Sequence, residues 1–207
     1  MNYELFQLIN RWAEHYALLD RIMIFIADNA QLIFAVILVL MWFSSKQHDL
    51  RERNQRTALY AAICSLLALS CNLVINNVYW HPRPFVDHTV HQLIPHSASE
   101  SSFASDHAIL AFSIAIVMAM QNHKWKYIVL GFAILTAVSR VFVGVHYPAD
   151  VAGGAILALL TSLLVMKSKN ILEPIIQLVF RLYAKIASCL PFFQQYTVYR
   201  YDQKKNV

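Results

Sequence analysis

A chain of 207 residues is long enough for one or two soluble domains. This one is 58% hydrophobic and only 14% charged, against about 25% charged in soluble domains. The formal net charge of +5 invites a nucleic-acid partner, but each basic cluster abuts an apolar run of membrane length, so no nucleic acid is expected. The composition indicates a single integral membrane domain whose surroundings are membrane lipids.

In chain order, residues 2–18 set Leu5, Leu8, Ile9, Trp12 and Tyr16 on one helical face, away from Glu4, Arg11 and Glu14. That is the pattern of a helix lying in a membrane interface; the alternative is a helix packed on the bundle as part of a sixth, half-inserted span. No basic start or small-residue cleavage site marks a signal peptide, so the first membrane helix is expected to stay attached. A spanning helix needs about 20 largely apolar residues, and the candidates are 22–43, 57–78, 107–121, 127–143 and 148–166. The first carries Asp28, Asn29 and Gln31, so its apolar core begins near Ala30. The third and fourth are short and extend into their polar flanks. Residues 171–191 are again amphipathic, with Arg181 and Lys185 on the polar side, and the tail from Gln194 reads as polar and loose. The expected fold is an all-α, polytopic transmembrane bundle of five to six spans. Its parts are an amphipathic helix over 1–21, a membrane domain over 22–167, and an amphipathic helix with a polar tail over 168–207.

Basic residues mark the topology. Lys46, Arg51, Arg53 and Arg56 share one loop, Lys124 and Lys126 a second, and Lys167 and Lys169 follow the last span. With these inside, five spans put Arg83, His107 and the stretch Arg140 to Asp150 on the outer side. Arg83 and Arg140 sit against the charge rule there, which marks them for chemistry. Cys64, Cys71 and Cys189 fit no metal spacing; the first two lie roughly 10.5 Å apart along one helix axis and serve as apolar filler.

Three polar stretches converge on that outer face. In Trp80-His81-Pro82-Arg83-Pro84, the prolines hold the backbone extended and let the arginine project from a rigid loop. Ser105-Asp106-His107 opens the third span at a helix start, where free N–H groups favour anions. Ser105 alone would be an ordinary N-cap, and His107 alone a satisfied histidine. Ser139-Arg140 is followed by His146 six positions after the arginine and Asp150 four after the histidine. A histidine that attacks phosphorus needs a carboxylate on its far nitrogen and a guanidinium on the phosphoryl oxygens, and this stretch supplies all three groups. Ionisable residues at membrane depth are costly, which makes them functional candidates. His88, His91 and His96 lack paired metal-ligand spacing and read as a solvated or interfacial loop, so no metal is expected.

Arg83-Pro84, Ser105-Asp106-His107 and Ser139-Arg140-x5-His146-x3-Asp150 resemble the three signature blocks of the type 2 phosphatidic acid phosphatase superfamily, over roughly residues 20–167. The likeness is greatest to bacterial undecaprenyl-diphosphatases of the bacitracin-resistance type, which carry Asp at the position of Asp106; Ser102-Phe103 is also similar. Two positions depart. The family's first block opens with a lysine where Asn76 stands, leaving one cation missing from the cradle unless His81 substitutes, and its second block opens with proline where Ala104 stands.

The resemblance implies that His146 is the nucleophile and forms a phosphohistidine, with Asp150 orienting its ring. It makes His107 the general acid and then the base for water. Arg83, Arg140, Ser105 and the amides near Asp106 would bind phosphoryl oxygens, without cofactor or metal. The implied substrate is a polyprenyl diphosphate, hydrolysed on the outer side of a bacterial inner membrane to recycle the cell-wall lipid carrier and confer bacitracin resistance. A phosphatidate or phosphatidylglycerophosphate phosphatase remains open, because the headgroup cradle is common to both. Asn76 motivates a non-catalytic lipid-binding protein, against which the paired His146 and Asp150 argue. A transporter is disfavoured, since the polar groups gather at one end and not at mid-membrane.

Overall fold

The computed structural model describes residues 1–198, and the part of the C-terminal tail beyond them lies outside the described residues. These residues form an all-helical bundle without strands. In order, the helices are α1 (Asn2–Asn10), α2 (Ala17–Trp42), α3 (His48–Val78), α4 (Pro84–Asp87), α5 (Asp106–Met120), α6 (Lys126–Phe142), α7 (Pro148–Lys167), α8 (Lys169–Ser188) and α9 (Pro191–Gln194). Three of them, α2, α3 and α7, are long and apolar enough to cross a membrane; α5 is a shorter apolar helix.

The centre of the bundle is α5, which packs against α3, α6, α7 and α2. A helix that is apolar on every side belongs inside, and α5 is studded with small residues that let neighbours approach. Ala108, Ala111, Ser113 and Ala115 are all buried. The closest approach is by α7: a Cβ on Gly154 would sit 3.0 Å from the Ser105 carbonyl oxygen and 3.1 Å from the Ala108 Cβ. Glycine lets α7 rest here against the start of α5 without the neighbours giving way, and this contact draws two functional segments together. The outer surface is correspondingly greasy, with Leu18, Leu32, Leu66, Leu73 and Leu160 all exposed.

Two segments differ from the sequence expectation. Residues 2–18 do not make one helix: α1 stops at Asn10, whose side-chain amide donates to the carbonyls of His91 and Phe142 at 2.8 Å each. Glu14 then adopts a left-handed φ of 67°, and α2 starts at Ala17. The basic segment before residue 57 is not a loop either, because α3 begins at His48. Its first turns bury Arg51 and Gln55, which donate to the carbonyls of Gln195 and Tyr196. Those contacts tie residues 195 and 196 to α3.

The basic segments meet at one end of the bundle. Arg53 donates to the carbonyls of Gln121 and Asn122 at the end of α5, and Lys169 donates to the Gln121 side chain. Arg56 forks onto Glu173 of α8 at 2.8 and 3.0 Å. Helix α8 buries Ile176, Phe180, Ala184 and Ala187 on the bundle while Ile171, Ile175, Leu178 and Leu182 face outward.

Candidate active site

At the opposite end, four chain segments close on one another: the stretch from Tyr79 through α4, the loop 88–105 with the start of α5, the end of α6, and the turn into α7. That turn is set by Gly144, whose φ of +84° and whose backbone, packed on the His91 carbonyl, exclude a side chain. It returns the chain sharply enough to place His146 one residue before the N-cap of α7. Pro148 occupies the first helical turn, where its missing N–H costs nothing. Asp150 follows as N3, and its Oδ2 accepts the Tyr147 backbone N–H at 2.7 Å.

The His146 ring is buried, and its Nδ1 lies 2.9 Å from the carbonyl oxygen of Ser102. A carbonyl only accepts, so Nδ1 carries the hydrogen and the neutral ring has its lone pair on Nε2. That Nε2 is 3.5 Å from Nη1 of Arg83. Asp150 lies 3.8 Å from Nδ1, beyond hydrogen-bond length. Ser102 stands between them: its hydroxyl donates to Asp150 Oδ2 at 2.5 Å and sits 3.4 Å from His146 Nδ1. The other carboxylate oxygen of Asp150 faces Nδ1 of His81 at 3.5 Å. Burial dominates the His146 imidazole and pushes its pKa down from 6.5 to about 4; Asp150 pulls it upward, and Arg140 and Arg83 press it further down.

Both arginines are buried. Arg83, the N-cap of α4, donates through Nη1 to the Val145 carbonyl at 3.1 Å and through Nη2 to Glu100 at 3.3 Å. Arg140, in the last turn of α6, donates through Nη1 to the Ala27 carbonyl at 3.1 Å. Their Nε groups have no protein partner, and neither does the buried hydroxyl of Ser105. Ser105 occupies the N-cap position of α5 yet makes no side-chain capping bond. Three unpaired polar groups held away from solvent are costly in a folded protein. Their cost is offset when an oxyanion supplies the acceptors, which is the chemistry this donor set suits.

His107 stands in the first turn of α5, half-buried and within electrostatic reach of Arg140, His146, His96 and Arg83. The Asp106 side chain points elsewhere, accepting the Asn72 amide of α3 at 2.7 Å. The same Asn72 clasps Ala104 through both its carbonyl (2.9 Å) and its N–H (3.1 Å), fixing the loop just before α5. Asn76 lies one helical turn further along α3, on the wall of a groove it shares with Asp106, Gln31 and Ser70. Among the described residues no group of three His, Cys, Asp or Glu is arranged to hold a metal.

Sequence reading missed the role of Ser102 and treated His96 as part of a solvated loop. In the structure His96 is three-quarters buried and its Nδ1 lies 2.9 Å from Glu100 Oε2, beside Arg83. The serine carries no periodicity or spacing signal of its own; only the resemblance of Ser102-Phe103 to the family pointed toward it.

The PAP2 superfamily model matches residues 57–172, more than half of the chain. The chain belongs to the PAP2 superfamily. That match runs from α3 to the start of α8 and takes in every site segment described above. Undecaprenyl-diphosphatase BcrC of Bacillus subtilis (strain 168) is 40% identical over 190 residues, covering 92% of this chain and 95% of that protein. The bacitracin transport permease protein BcrC of Bacillus licheniformis is 33% identical, covering 80% of this chain and 79% of its own. Among solved structures, Aquifex aeolicus LpxE superposes with a TM-score of 0.66 at 25% identity, over 80% of this chain and 94% of that one.

Proposed function

We propose that this PAP2 protein is an undecaprenyl-diphosphate phosphatase, releasing inorganic phosphate and undecaprenyl phosphate through a phosphohistidine on His146. The observation that carries the reading is the buried imidazole whose Nδ1–H is held by the Ser102 carbonyl, which puts the lone pair on Nε2, 3.5 Å from Arg83 Nη1. Extensive identity to a protein named undecaprenyl-diphosphatase supports the choice of substrate.

In the first step the Nε2 lone pair attacks the terminal phosphorus. The bond from that phosphorus to the bridging oxygen breaks, and His107 gives its proton to the departing undecaprenyl phosphate. Arg83, Arg140 and the Ser105 hydroxyl take the charge on the phosphoryl oxygens, and such charge stabilisation does most of the catalysis in phosphoryl transfer. The imidazolium that forms is steadied by Asp150 through Ser102. In the second step His107, now neutral, accepts a proton from water. The resulting hydroxide attacks phosphorus, the N–P bond breaks, and inorganic phosphate leaves with both histidines restored.

Five membrane spans, α2, α3, α5, α6 and α7, fit the antiparallel order of the bundle. Gathering of Arg53, Arg56 and Lys169 at one end supports that end as cytoplasmic. The site end then faces outward from the inner membrane, the side on which recycling of the cell-wall lipid carrier would support bacitracin resistance.

Purified protein should release phosphate from undecaprenyl diphosphate well above the rate for phosphatidylglycerophosphate or phosphatidate. A preference for either glycerolipid would move the assignment to that lipid, and no release from any of the three would remove the enzyme reading.

A further inference from the structure

One oxygen of the site is held by two donors from different segments. Glu100 Oε2 lies 3.3 Å from Arg83 Nη2 and 2.9 Å from His96 Nδ1. A single anionic oxygen between a guanidinium and an imidazole N–H is the arrangement that a phosphate oxygen takes. The three partners are not equally anchored. The Arg83 side chain is 6% exposed and His96 25%, whereas Glu100 is 55% exposed. Glu100 reaches in from the loop 88–105 and leaves by rotating its own side chain, whereas Arg83 is pinned from its other edge by the Val145 carbonyl.

The two edges of Arg83 also face different things. Nη1 looks toward His146 Nε2, the attacking atom. Nη2 lies 3.3 Å from Glu100 Oε2, the oxygen that His96 Nδ1 also approaches. A diphosphate lying along the guanidinium would set its reacting phosphate on the first edge and its neighbour on the second.

We propose that Arg83 Nη2 and His96 form a second phosphate subsite, for the leaving-group phosphate of a lipid diphosphate, and that Glu100 occupies it as a displaceable stand-in. The proposal rests on the phosphatase reading and adds the basis of headgroup choice. A diphosphate evicts Glu100 and gains both donors. A monophosphate uses only the inner edge, leaves Glu100 seated, and meets a carboxylate near its outer oxygens. His96 is burdened by burial and by Arg83 and Arg140, which hold its pKa below the ordinary value. Nδ1 can donate from the charged ring or from the neutral tautomer that carries its hydrogen there, so the subsite does not require a charged ring.

The test uses the full chain in detergent, with calorimetric binding of inorganic phosphate and of methylenediphosphonate, whose bridging carbon resists cleavage. Glu100→Gln should tighten methylenediphosphonate about three- to tenfold, since a half-exposed carboxylate on a buried cation lies between a surface pair and a buried one. His96→Ala should weaken methylenediphosphonate by about tenfold, with His96→Gln recovering part through its amide donor. Inorganic phosphate, which fits the inner edge alone, should change less than about twofold in each variant, within the range of a solvent-screened pair. Glu100 is exposed and glutamine nearly isosteric, so that variant tests the idea even where His96→Ala misfolds. If Glu100→Gln weakens or leaves unchanged the diphosphonate, Glu100 is an orienting partner of Arg83 and the subsite is wrong. If His96→Ala shifts both ligands equally, His96 is structural and the subsite is wrong. Turnover of undecaprenyl diphosphate by wild-type protein is measured alongside: failure there removes the substrate assignment while the binding data still judge the subsite.

Discussion

Replacing Ser102 by alanine removes one hydroxyl and leaves its carbonyl on His146 in place. The lost bond is the 2.5 Å donation to Asp150 Oδ2, after which that oxygen keeps only the Tyr147 N–H. A buried hydrogen bond to a charged acceptor is worth about 1.5–3 kcal/mol. Every 1.36 kcal/mol lost from the transition state is a tenfold drop, so complete expression there would slow phosphoryl transfer by about ten- to 150-fold. Asp150 is bound in the resting enzyme too, so part of this energy will appear as lowered thermal stability. The expected loss in kcat is thus about three- to fiftyfold. A second readout separates positioning from simple loosening. Without the hydroxyl between them, Asp150 is free to close the 3.8 Å gap to Nδ1, which favours the protonated ring. The acid limb of kcat/KM should then move to higher pH than in wild type. Rapid acid quench with undecaprenyl diphosphate labelled at its terminal phosphate measures phosphoenzyme formation directly across pH. A variant within twofold of wild type, with its acid limb unmoved, would refute the bridging role.

His146→Ala should abolish both phosphate release and acid-labile labelling, while His107→Ala should be severely slowed and retain label if intermediate breakdown becomes limiting. Because the His146 pKa is pushed down to about 4, kcat/KM in the wild type should decline only as pH falls through about 4, not through 6.5. The same group sets a stability trend: between pH 6.5 and 4 the unfolded chain binds the proton and the folded one does not, so stability falls as pH drops through that window, visible in melting scans. For topology, a single cysteine replacing Glu52 should resist an impermeant thiol reagent added from outside intact cells. Labelling of it from outside would overturn the outward orientation of the site.

Much of the bundle was legible because its apolar runs are bounded by strong local signals. The segments expected at 107–121, 127–143 and 148–166 appear as Asp106–Met120, Lys126–Phe142 and Pro148–Lys167. Ser-Asp before one and a proline within the first turn of another fixed those starts. Segments whose limits depend on distant partners were not legible. No local pattern says that Asn10 will bond Phe142, 132 residues away, and end α1. Nor does one say that Gln55 will find the Tyr196 carbonyl and let α3 begin nine residues early. The site divides in the same way. The spacing of Arg140, His146 and Asp150 places them at one helix–turn–helix junction, so sequence distance is a fair guide to space. Ser102 and Glu100 reach that junction only because α5 lies against α7 at Gly154, a contact invisible in a one-dimensional reading. Asp106 illustrates the reverse case. Its position in the second block pointed to the backbone amides beside it, and gave no sign that its carboxylate would accept the Asn72 amide of α3.

The shortness of the central helix governs how the lipid reaches the chemistry. With 15 residues, α5 rises about 22 Å, against a hydrocarbon layer of about 30 Å. Its C-terminal end is fastened by Arg53 at the basic end of the bundle; in the five-span arrangement proposed above, its opening turn falls short of the opposite boundary by several ångströms. The neighbouring α2 and α3, at 26 and 31 residues, run well past it. In that arrangement Ser105 and His107 would lie at the floor of a bowl whose rim stands in the headgroup layer. A prenyl tail can stay among its acyl neighbours while the headgroup tips sideways over the rim, and no lifting of the lipid into water is needed. Membrane thickness then becomes a control on turnover: reconstitution into progressively longer-chain lipids should slow the enzyme as the bowl sinks below the reach of the headgroup plane.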